Sequence, residues 1–502
     1  MKIRRLYDLP ARKPAVMWTG LYALFLLTVF VLWTPATGYS PIVVPKHRLF
    51  LISAGVYFTG LAVLWVRYRP RVGLPRWSWC LAAGLLMCFL LSGLLSEHQD
   101  LVWLGHRRKE GFLTLAIYLG IFLTMAAFGR LGRVHQWAAA GTGICLFVLV
   151  LIQFLGHNPL GLYPEGLGFH DRGARYSGEY LGTIGNSDLL SALLTMLCLY
   201  LFGAYATGKG KDRFFLLAGA GCAWAALLLS EVTAGPVAVL GCLALALPLC
   251  VKKGLGLGRM GEIGGILALC ALGKSLLGYA YEAGTLTFFI RFGALSGVFL
   301  GLCLCCAGAA VLLRRLPAGK GYPRAAWAMA AVYLLVILAA LLFLLFYTGS
   351  NETLLGLHGL LRGDPPDTLG SSRVAIWKEA VELGLEEPLL GGGPDTYNRR
   401  SQILFTRELE SGAIRRNSVD AAHNEYLNLW VNTGLPSMLL FLALVLWALI
   451  SGGRRVDGRS LPVWLPAVGY AIHALFGISQ SLVSPLFYLF LGALVFHQRS
   501  KP

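Results

Sequence analysis

The sequence predicts an all-α protein, a polytopic bundle of about fourteen transmembrane helices with a helical outer loop. Three observations support this prediction. Of the 502 residues, 56% are hydrophobic and only 14% are charged, whereas an ordinary soluble domain is about a quarter charged. Apolar stretches of about 20 residues, the length that crosses a bilayer, recur along the chain. Basic residues concentrate in every second connection between them. A soluble globule, a disordered chain and a disulfide-framed secreted module are excluded.

The apolar stretches follow one another from a basic N-terminal segment to the C-terminus. The predicted spans are 16–35, 48–66, 77–96, 111–128, 135–155, 183–206, 213–230, 233–251, 261–279, 288–313, 325–348, 424–451, 461–476 and 480–497. The first span follows several basic residues, as a signal peptide would, but its apolar run is too long, so we interpret it as an anchor. The last two are short enough to form one re-entrant pair.

The distribution of Lys and Arg predicts the orientation of the bundle. With the N-terminus in the cytoplasm, the cytoplasmic connections hold 26 of the 43 Lys and Arg residues. Short connections rich in Lys and Arg stay on the cytoplasmic side. The net charge of +18 is therefore an orientation signal, and no nucleic-acid partner is expected. We expect a multi-pass protein of the cell (inner or cytoplasmic) membrane with both termini in the cytoplasm.

Two predicted outer segments, 156–182 and 349–423, are too long for simple connectors, and long ordered loops usually carry function. The second divides the chain into a transmembrane region, 1–348, the outer loop 349–423, and a C-terminal transmembrane region, 424–502.

Segment 349–423 has a helical pattern of its own. We expect one helix near 373–383, capped by Ser371 and Ser372 and stopped at Gly384. A second helix is expected near 396–410, after a glycine-rich turn.

The 11 cysteines all fall in apolar stretches. Their spacing matches no zinc motif, so they are interpreted as small apolar residues, and neither a metal site nor a cofactor is expected.

Two outer residues are candidates for chemistry. His423 lies at the outer mouth of the predicted twelfth span, where an imidazole can act as a general base or only satisfy a backbone carbonyl. Arg373 and Trp377 lie four residues apart on one face of the predicted helix. A guanidinium there can bind phosphate, or it can be a solvated loop charge.

Further polar residues gather toward the same outer side. Arg172 and Arg175 precede the sixth span, and Asn186 and Asp188 lie at its outer end. Lys274 lies in the outer half of the ninth span. Charged groups inside a membrane are costly unless they are paired or face water, so the pattern indicates a polar cavity open to the outer leaflet.

Two stretches resemble the signature motifs of the O-antigen ligase and polymerase superfamily. One is His423-Asn424 followed after nine residues by Gly434-Leu-Pro-Ser437. The other is Arg373-Val-Ala-Ile-Trp377 with the later turn Leu-Leu-Gly391-Gly-Gly393-Pro394. A weaker match, Gly182 to Ala192, resembles the family's Gly-Asn-x-Asn-x-x-Ala span entrance.

The chain departs from the family pattern at three positions. Ser437 stands where Gly, Thr or Tyr is usual, and Asp188 stands where the second Asn of the span entrance is usual. Ser230 to Gly235 stands where many members have Ser-Arg-Gly. That arginine is thought to hold the donor pyrophosphate, so Arg172, Arg175 or Lys274 would have to substitute for it, or the donor differs.

The resemblance implies a metal-independent glycosyltransferase with a bundle similar to the GT-C type. It implies a donor glycan on undecaprenyl pyrophosphate, and an acceptor hydroxyl on a lipid-core sugar or on another carrier-linked glycan. The implied catalytic residues are His423, Arg373 and Arg175. The implied substrate-binding residues are Arg172, Asn186, Asp188, Trp377, Asn424 and Lys274.

The sequence is also compatible with two other classes of membrane protein. A transporter or lipid-linked glycan flippase would also have many spans and buried polar groups, but it would place charges near the membrane midplane. A scaffolding membrane protein would leave the arginine and histidine patterns as coincidence.

Overall fold

The computed structural model describes residues 9–167, 176, 178–281, 296–317, 319–408 and 414–499. Helices α1 to α11 are Leu9–Phe25 (continued by a π-helical turn, Leu26–Phe30), Val43–Tyr68, Arg76–Leu95, Phe112–Phe128, Arg133–Phe154, Ser187–Thr207, Arg213–Leu229, Ala234–Lys253, Leu257–Tyr281, Ser296–Arg314 and Pro323–Leu345. The remaining elements are α12 to α14, Glu352–Arg362, Leu369–Glu386 and Tyr397–Arg400; strands β1 and β2, Leu404–Glu408 and Ile414–Ser418; and α15 to α18, Glu425–Thr433, Leu435–Arg454, Leu461–His473 and Ser484–Arg499.

The predicted helical membrane bundle is confirmed. Among the described residues, nine helices are long and apolar enough to cross a membrane, and four shorter ones are also apolar. The shorter ones are Phe112–Phe128, Arg213–Leu229, Val298–Arg314 and Ser484–Gln498. The chain is therefore a multi-pass membrane protein.

Helix α6 is the central helix of the bundle. Its apolar window is buried along its whole length, and it packs against α5, α7, α8 and α17. A helix that is apolar on every side is stable only when other helices surround it. This helix carries Asp188 and Ser191 in its first two turns, so it brings those polar groups to one end of the core.

The predicted twelfth span, 424–451, is wrong as a single helix. The chain forms α15 and α16, which meet at Gly434, where φ is +86°. A Cβ atom at Gly434 would lie 2.0 Å from the carbonyl oxygen of Leu389. The backbone of the glycine-rich turn thus packs directly on the break, and only glycine permits this approach.

The same turn is tied to α15 by backbone hydrogen bonds. The Gly392 N–H donates to Val431 at 3.0 Å, and the Gly393 N–H donates to Asn432 at 2.8 Å. The Leu435 N–H donates to Pro388 at 2.8 Å. Two motifs that lie far apart in sequence therefore form one structural unit.

The predicted helices of the outer segment are partly corrected. Regular helix begins at Arg373, because Ser371 and Ser372 have φ values of 59° and 64°. Gly384 does not end this helix, which continues to Glu386. A Cβ atom at Gly384 would lie 2.8 Å from the Trp430 ring, so close packing, not termination, requires glycine there.

The expected helix at 396–410 is also wrong. Helix α14 has only four residues, and β1 pairs with β2 in an antiparallel hairpin, with Leu404 opposite Ser418. The hairpin is the exception to the all-α prediction among the described residues.

Candidate functional site

The candidate site forms where the ends of four elements meet: the N-termini of α6, α13 and α15 and the C-terminus of α17. Asn186 caps α6, because its side-chain oxygen accepts from the Leu189 N–H at 3.0 Å. Asn424 caps α15 by accepting from the N–H groups of Tyr426 and Leu427. The Glu425 N–H donates to the carbonyl of Ala474, just after α17, at 2.9 Å. These caps fix where the neighbouring side chains point.

Asp188 lies at the centre of the site and contacts two predicted site residues. Its Oδ1 lies 3.6 Å from the Arg373 guanidinium, and its Oδ2 lies 3.5 Å from His423 Nδ1. All three side chains are largely buried, with 16% to 26% of their surface exposed. The structure therefore brings together three residues that the sequence places on three separate elements.

The backbone is strained on both sides of this cluster. His423 has a φ of 48°, a left-handed conformation that is uncommon for a non-glycine residue. Ser371 and Ser372, which precede Arg373, are also left-handed. Strain of this kind costs about 1–3 kcal/mol per residue and clusters at functional sites.

Three buried nitrogens in the cluster have no hydrogen-bond partner among the described residues. They are Nε of Arg373, Nε1 of Trp377 and Nδ1 of His423, which faces Asp188 at 3.5 Å without forming a hydrogen bond. Trp377 lies one turn from Arg373 on α13, and its ring lies 6.2 Å from that of Phe476. Buried N–H groups are normally satisfied, so this arrangement suits a ligand that supplies acceptor oxygens.

Sequence reasoning missed His473 and Ser191. His473 Nε2 lies 3.2 Å from the Ser191 Oγ, and both side chains are buried. Ser191 lies about one turn beyond Asp188 on α6, so this pair lies immediately below the central carboxylate. A histidine at the end of an apolar helix was the available signal.

Lys274 forms an ion pair. Its Nζ lies 2.5 Å from Glu231 and 4.5 Å from the centre of the Phe154 ring. Glu231 has a left-handed backbone, with a φ of 59°. The charge of Lys274 is therefore matched by a largely buried carboxylate, and its predicted role in binding substrate stays a prediction. Arg172 and Arg175, the other two proposed substitutes for the missing family arginine, lie outside the described residues.

A second polar cluster, also missed by sequence reasoning, lies beside the site. The Ser479 hydroxyl donates to Glu110 at 2.5 Å and contacts the Ser484 hydroxyl at 3.0 Å. The Ser484 hydroxyl contacts that of Tyr470 at 3.1 Å, and Tyr470 donates to Glu425. A continuous hydrogen-bonded chain thus links the two buried carboxyl groups.

Burial also changes the acidity of the carboxyl groups in the outer connections. Desolvation raises the pKa of Glu110 to about 7 and that of Asp395 to about 6. Repulsion between the two carboxylates acts in the same direction. Nearby, Arg108 is held by an ion pair with Asp420 at 2.5 Å.

Comparison with known proteins finds a family match for part of the chain. None of the curated proteins compared with the chain matches it. Residues 215–442 match the family model described as O-antigen ligase. That stretch includes Arg373, the glycine-rich turn and His423, and Asp188 joins them from α6. Over this stretch the chain is similar to the O-antigen ligase superfamily, which supports a membrane protein of ligase-like or polymerase-like glycan transfer.

Proposed function

We propose that this protein transfers a glycan from an undecaprenyl-pyrophosphate carrier to an acceptor hydroxyl at the outer face of the cell membrane, without a metal ion. The acceptor is a sugar of a lipid core or of another carrier-linked glycan. The observation that carries the proposal is the Asp188 cluster, in which one carboxylate holds a guanidinium and an imidazole on its two oxygens.

Arg373 is suited to the leaving group. When the bond between the sugar carbon and the carrier breaks, negative charge grows on the pyrophosphate oxygens. The Arg373 Nε has no hydrogen-bond partner among the described residues, and a guanidinium binds phosphate oxygens in a fixed planar geometry. Preorganised positive charge of this kind stabilises the transition state.

His423 is suited to the acceptor. Its Nδ1 faces Asp188 at 3.5 Å, which leaves Nε2 to accept a proton. The acceptor oxygen forms the new bond to the sugar carbon, its proton passes to Nε2, and the carrier pyrophosphate leaves with the electron pair of the broken bond. The Asp188 carboxylate then stabilises the imidazolium, as carboxylates do in acid–base catalysis by histidine.

The other predicted site residues take supporting roles in this proposal. Trp377 presents, beside Arg373, an N–H that no described residue accepts, and it lines the sugar or pyrophosphate subsite. Asn186 and Asn424 cap helices through their side-chain oxygens and keep their amide N–H groups for substrate. Arg175 and Arg172 are proposed as further pyrophosphate ligands, and Lys274 neutralises Glu231.

The proposal is tested by a transfer assay with purified protein in lipid nanodiscs. We expect the wild-type protein to convert a carrier-linked glycan into elongated or ligated product. Arg373→Ala should lower turnover by about a hundredfold or more, the scale seen when a transition-state donor is removed. Arg373→Lys should restore little, because an ammonium cannot reproduce the planar contact.

The matched control is Arg362→Ala. Arg362 is an exposed arginine in the last turn of α12 on the same outer segment, so its loss should leave turnover unchanged. Equal activity of the Arg373→Ala and wild-type proteins would show that Arg373 is a solvated charge of the outer segment and takes no part in transfer. No product from the wild-type protein with any carrier-linked glycan would contradict the transferase assignment.

A further inference from the structure

A basic pocket lies at the end of the bundle opposite the candidate site. Its cavity, of about 710 Å³, is formed where α6 ends, α7 and α9 begin and α10 ends. Its charged lining residues are Lys209, Arg213, Arg259, Arg314 and Glu262. Four cations thus share one cavity with one carboxylate. Helix α6 has 21 residues, so about 30 Å separate this pocket from Asp188.

The cations of the basic pocket are only partly neutralised. Arg314 pairs with Glu262, and Arg259 donates to the carbonyl of Gly208 at 2.7 Å. Within the part of the chain that the structure describes, Lys209 and Arg213 form no ion pair. The buried Nε of Arg213 also has no hydrogen-bond partner there. Excess positive charge held in a concave site indicates an anionic ligand.

The two helix N-termini at the pocket add to this positive charge. Neither α7 nor α9 has an acidic residue in its first turn. A helix N-terminus carries a partial positive charge, which acidic side chains commonly offset. At α9 no carboxylate in the first turn offsets this charge, whereas at α7 the N-cap residue Asp212 supplies a carboxylate, which also lies 3.8 Å from the guanidinium of Arg133.

An apolar cavity of about 220 Å³ lies next to the basic pocket. It is formed by α6, α8, α9 and α17, and Ala206 lines both cavities. Met260 and Ile263 line the apolar cavity, whereas Arg259 and Glu262 line the basic pocket. Leu240, on the apolar wall, is 38% exposed, so this cavity opens toward the side of the bundle. The two cavities together present an anion site joined to an apolar one.

We propose that the basic pocket and the apolar cavity together bind an anionic glycerophospholipid of the bilayer. Its phosphate lies among Lys209, Arg213 and the two helix N-termini, and part of one acyl chain enters the apolar cavity. The site is separate from the transfer site and does not depend on the proposed activity.

Two features favour a bilayer phospholipid over other phosphate ligands. The pocket lies on the side where short connections are rich in Lys and Arg, and basic pockets between helices on that side bind anionic head groups. A free phosphate ion would gain nothing from an apolar cavity.

Native mass spectrometry of the purified full-length protein tests this proposal. Delipidated protein in detergent is titrated with phosphatidylglycerol and with phosphatidylcholine of the same acyl chains. We expect preferential retention of phosphatidylglycerol. The double variant Lys209→Gln/Arg213→Gln should lower that retention about tenfold or more, since each basic residue near a head group contributes about 1 kcal/mol.

The control has the same change of charge outside the pocket. Arg76→Gln/Arg130→Gln removes two exposed cations on the same predicted side and should retain phosphatidylglycerol as the wild-type protein does. Thermal unfolding midpoints verify that both double variants are folded. Equal retention of the two lipids, or equal loss in both double variants, would overturn the proposal.

Further experiments identify which ligand binds in the two cavities. Ala244, which lines the apolar cavity and is exposed, is changed to Phe to fill the cavity; this should weaken binding of long-chain phosphatidylglycerol more than that of a dihexanoyl analogue. Competition by inorganic phosphate at equal concentration would reduce the site to a general anion site and overturn the lipid assignment. Preference for a polyprenyl phosphate over phosphatidylglycerol would also overturn it.

Discussion

At the residue scale, His423 differs from an ordinary interfacial histidine in its neighbours and in its backbone. Its Nδ1 faces the buried Asp188 carboxylate at 3.5 Å, and its φ of 48° is left-handed. A histidine that only satisfied a carbonyl would need neither feature. The same carboxylate also faces Arg373, so a change at Asp188 would disturb the guanidinium and the imidazole together. Separate changes at Arg373 and at His423 distinguish the proposed stabilisation of the leaving group from the proposed activation of the acceptor.

His423→Ala is expected to lower turnover by about 10²–10⁴-fold, the usual contribution of positioned acid–base catalysis. Binding of the carrier-linked donor should be less affected than in Arg373→Ala, because the acceptor is the partner of the imidazole. The measurement is initial rate against donor concentration in the transfer assay. His157→Ala, at an exposed histidine of the first long outer loop, should have no effect.

The pH profile separates the two roles open to His423. A base must be neutral, so the wild-type rate should fall on acidification, and this dependence should be absent from His423→Ala. A histidine that bound the pyrophosphate would gain from protonation. A wild-type rate that rises as the pH is lowered would therefore remove the base assignment.

At the scale of elements, the break between α15 and α16 fixes the position of α15 and thus of His423. Gly434 meets the Leu389 carbonyl, and the turn that follows Leu389 donates two hydrogen bonds to the end of α15. Ser437, where the family usually has another residue, is fully buried and contacts Thr433 at 2.6 Å. The serine side chain at this position is therefore fully packed, and its hydroxyl group has a hydrogen-bond partner.

Gly434→Ala should destabilise the protein and lower its activity. The new methyl group would lie 2.0 Å from a backbone oxygen, and the left-handed φ alone would cost about 1 kcal/mol or more. The midpoint of thermal unfolding in detergent is the measurement. Gly141→Ala, in α5, is the control, because nothing lies within 4 Å of the methyl group that alanine would add there; it should change the midpoint little. Equal midpoints for both variants would contradict this role of Gly434.

The connection before α4 is expected to make stability depend on pH. Burial raises the pKa of Glu110 from 4.5 to about 7, so the folded state holds this proton more tightly than the unfolded state. The stability that the folded protein gains from this bound proton is therefore fully present at low pH, and it is lost as the pH rises from about 4.5 through 7. Asp395, Arg108 and Glu425 are the charged or titratable neighbours.

Glu110→Gln keeps an acceptor for Tyr118 and Ser479 and removes the titration. Its unfolding midpoint should vary less between pH 5 and 8 than that of the wild-type protein, and at pH 8 it should be the more stable protein by about 1–3 kcal/mol. Glu97→Gln, at an exposed residue of the same connection, is the control. An unchanged pH dependence in Glu110→Gln would show that another group is responsible.

At the scale of the whole molecule, the positive-inside pattern predicts that the candidate site faces outward and the basic pocket faces the cytoplasm. In a cysteine-free background, Thr353→Cys, at an exposed residue of α12, should react with a membrane-impermeant maleimide in intact cells. Arg459→Cys, exposed between α16 and α17, should react only after permeabilisation. The reverse pattern would invert the proposed topology.

The amino-acid sequence alone was sufficient for the fold class, for most helix positions and for the likeness to the O-antigen ligase family that residues 215–442 share. Hydropathy and helical spacing are local properties, readable in windows of about 20 residues. The motifs around Arg373 and His423 are local as well. Errors arose where local propensity competed with packing: at Gly384, at the hairpin after α14, and at Gly434.

Only the tertiary structure decided how the site is assembled. Asp188, Arg373 and His423 lie on three elements far apart in sequence, and no local pattern reports that they share one carboxylate. The pairing of Lys274 with Glu231 and the hydrogen-bonded chain from Glu110 to Glu425 depend in the same way on contacts between distant helices. Such polar groups are stable in an apolar bundle only when they meet one another, and where they meet is determined by helix packing.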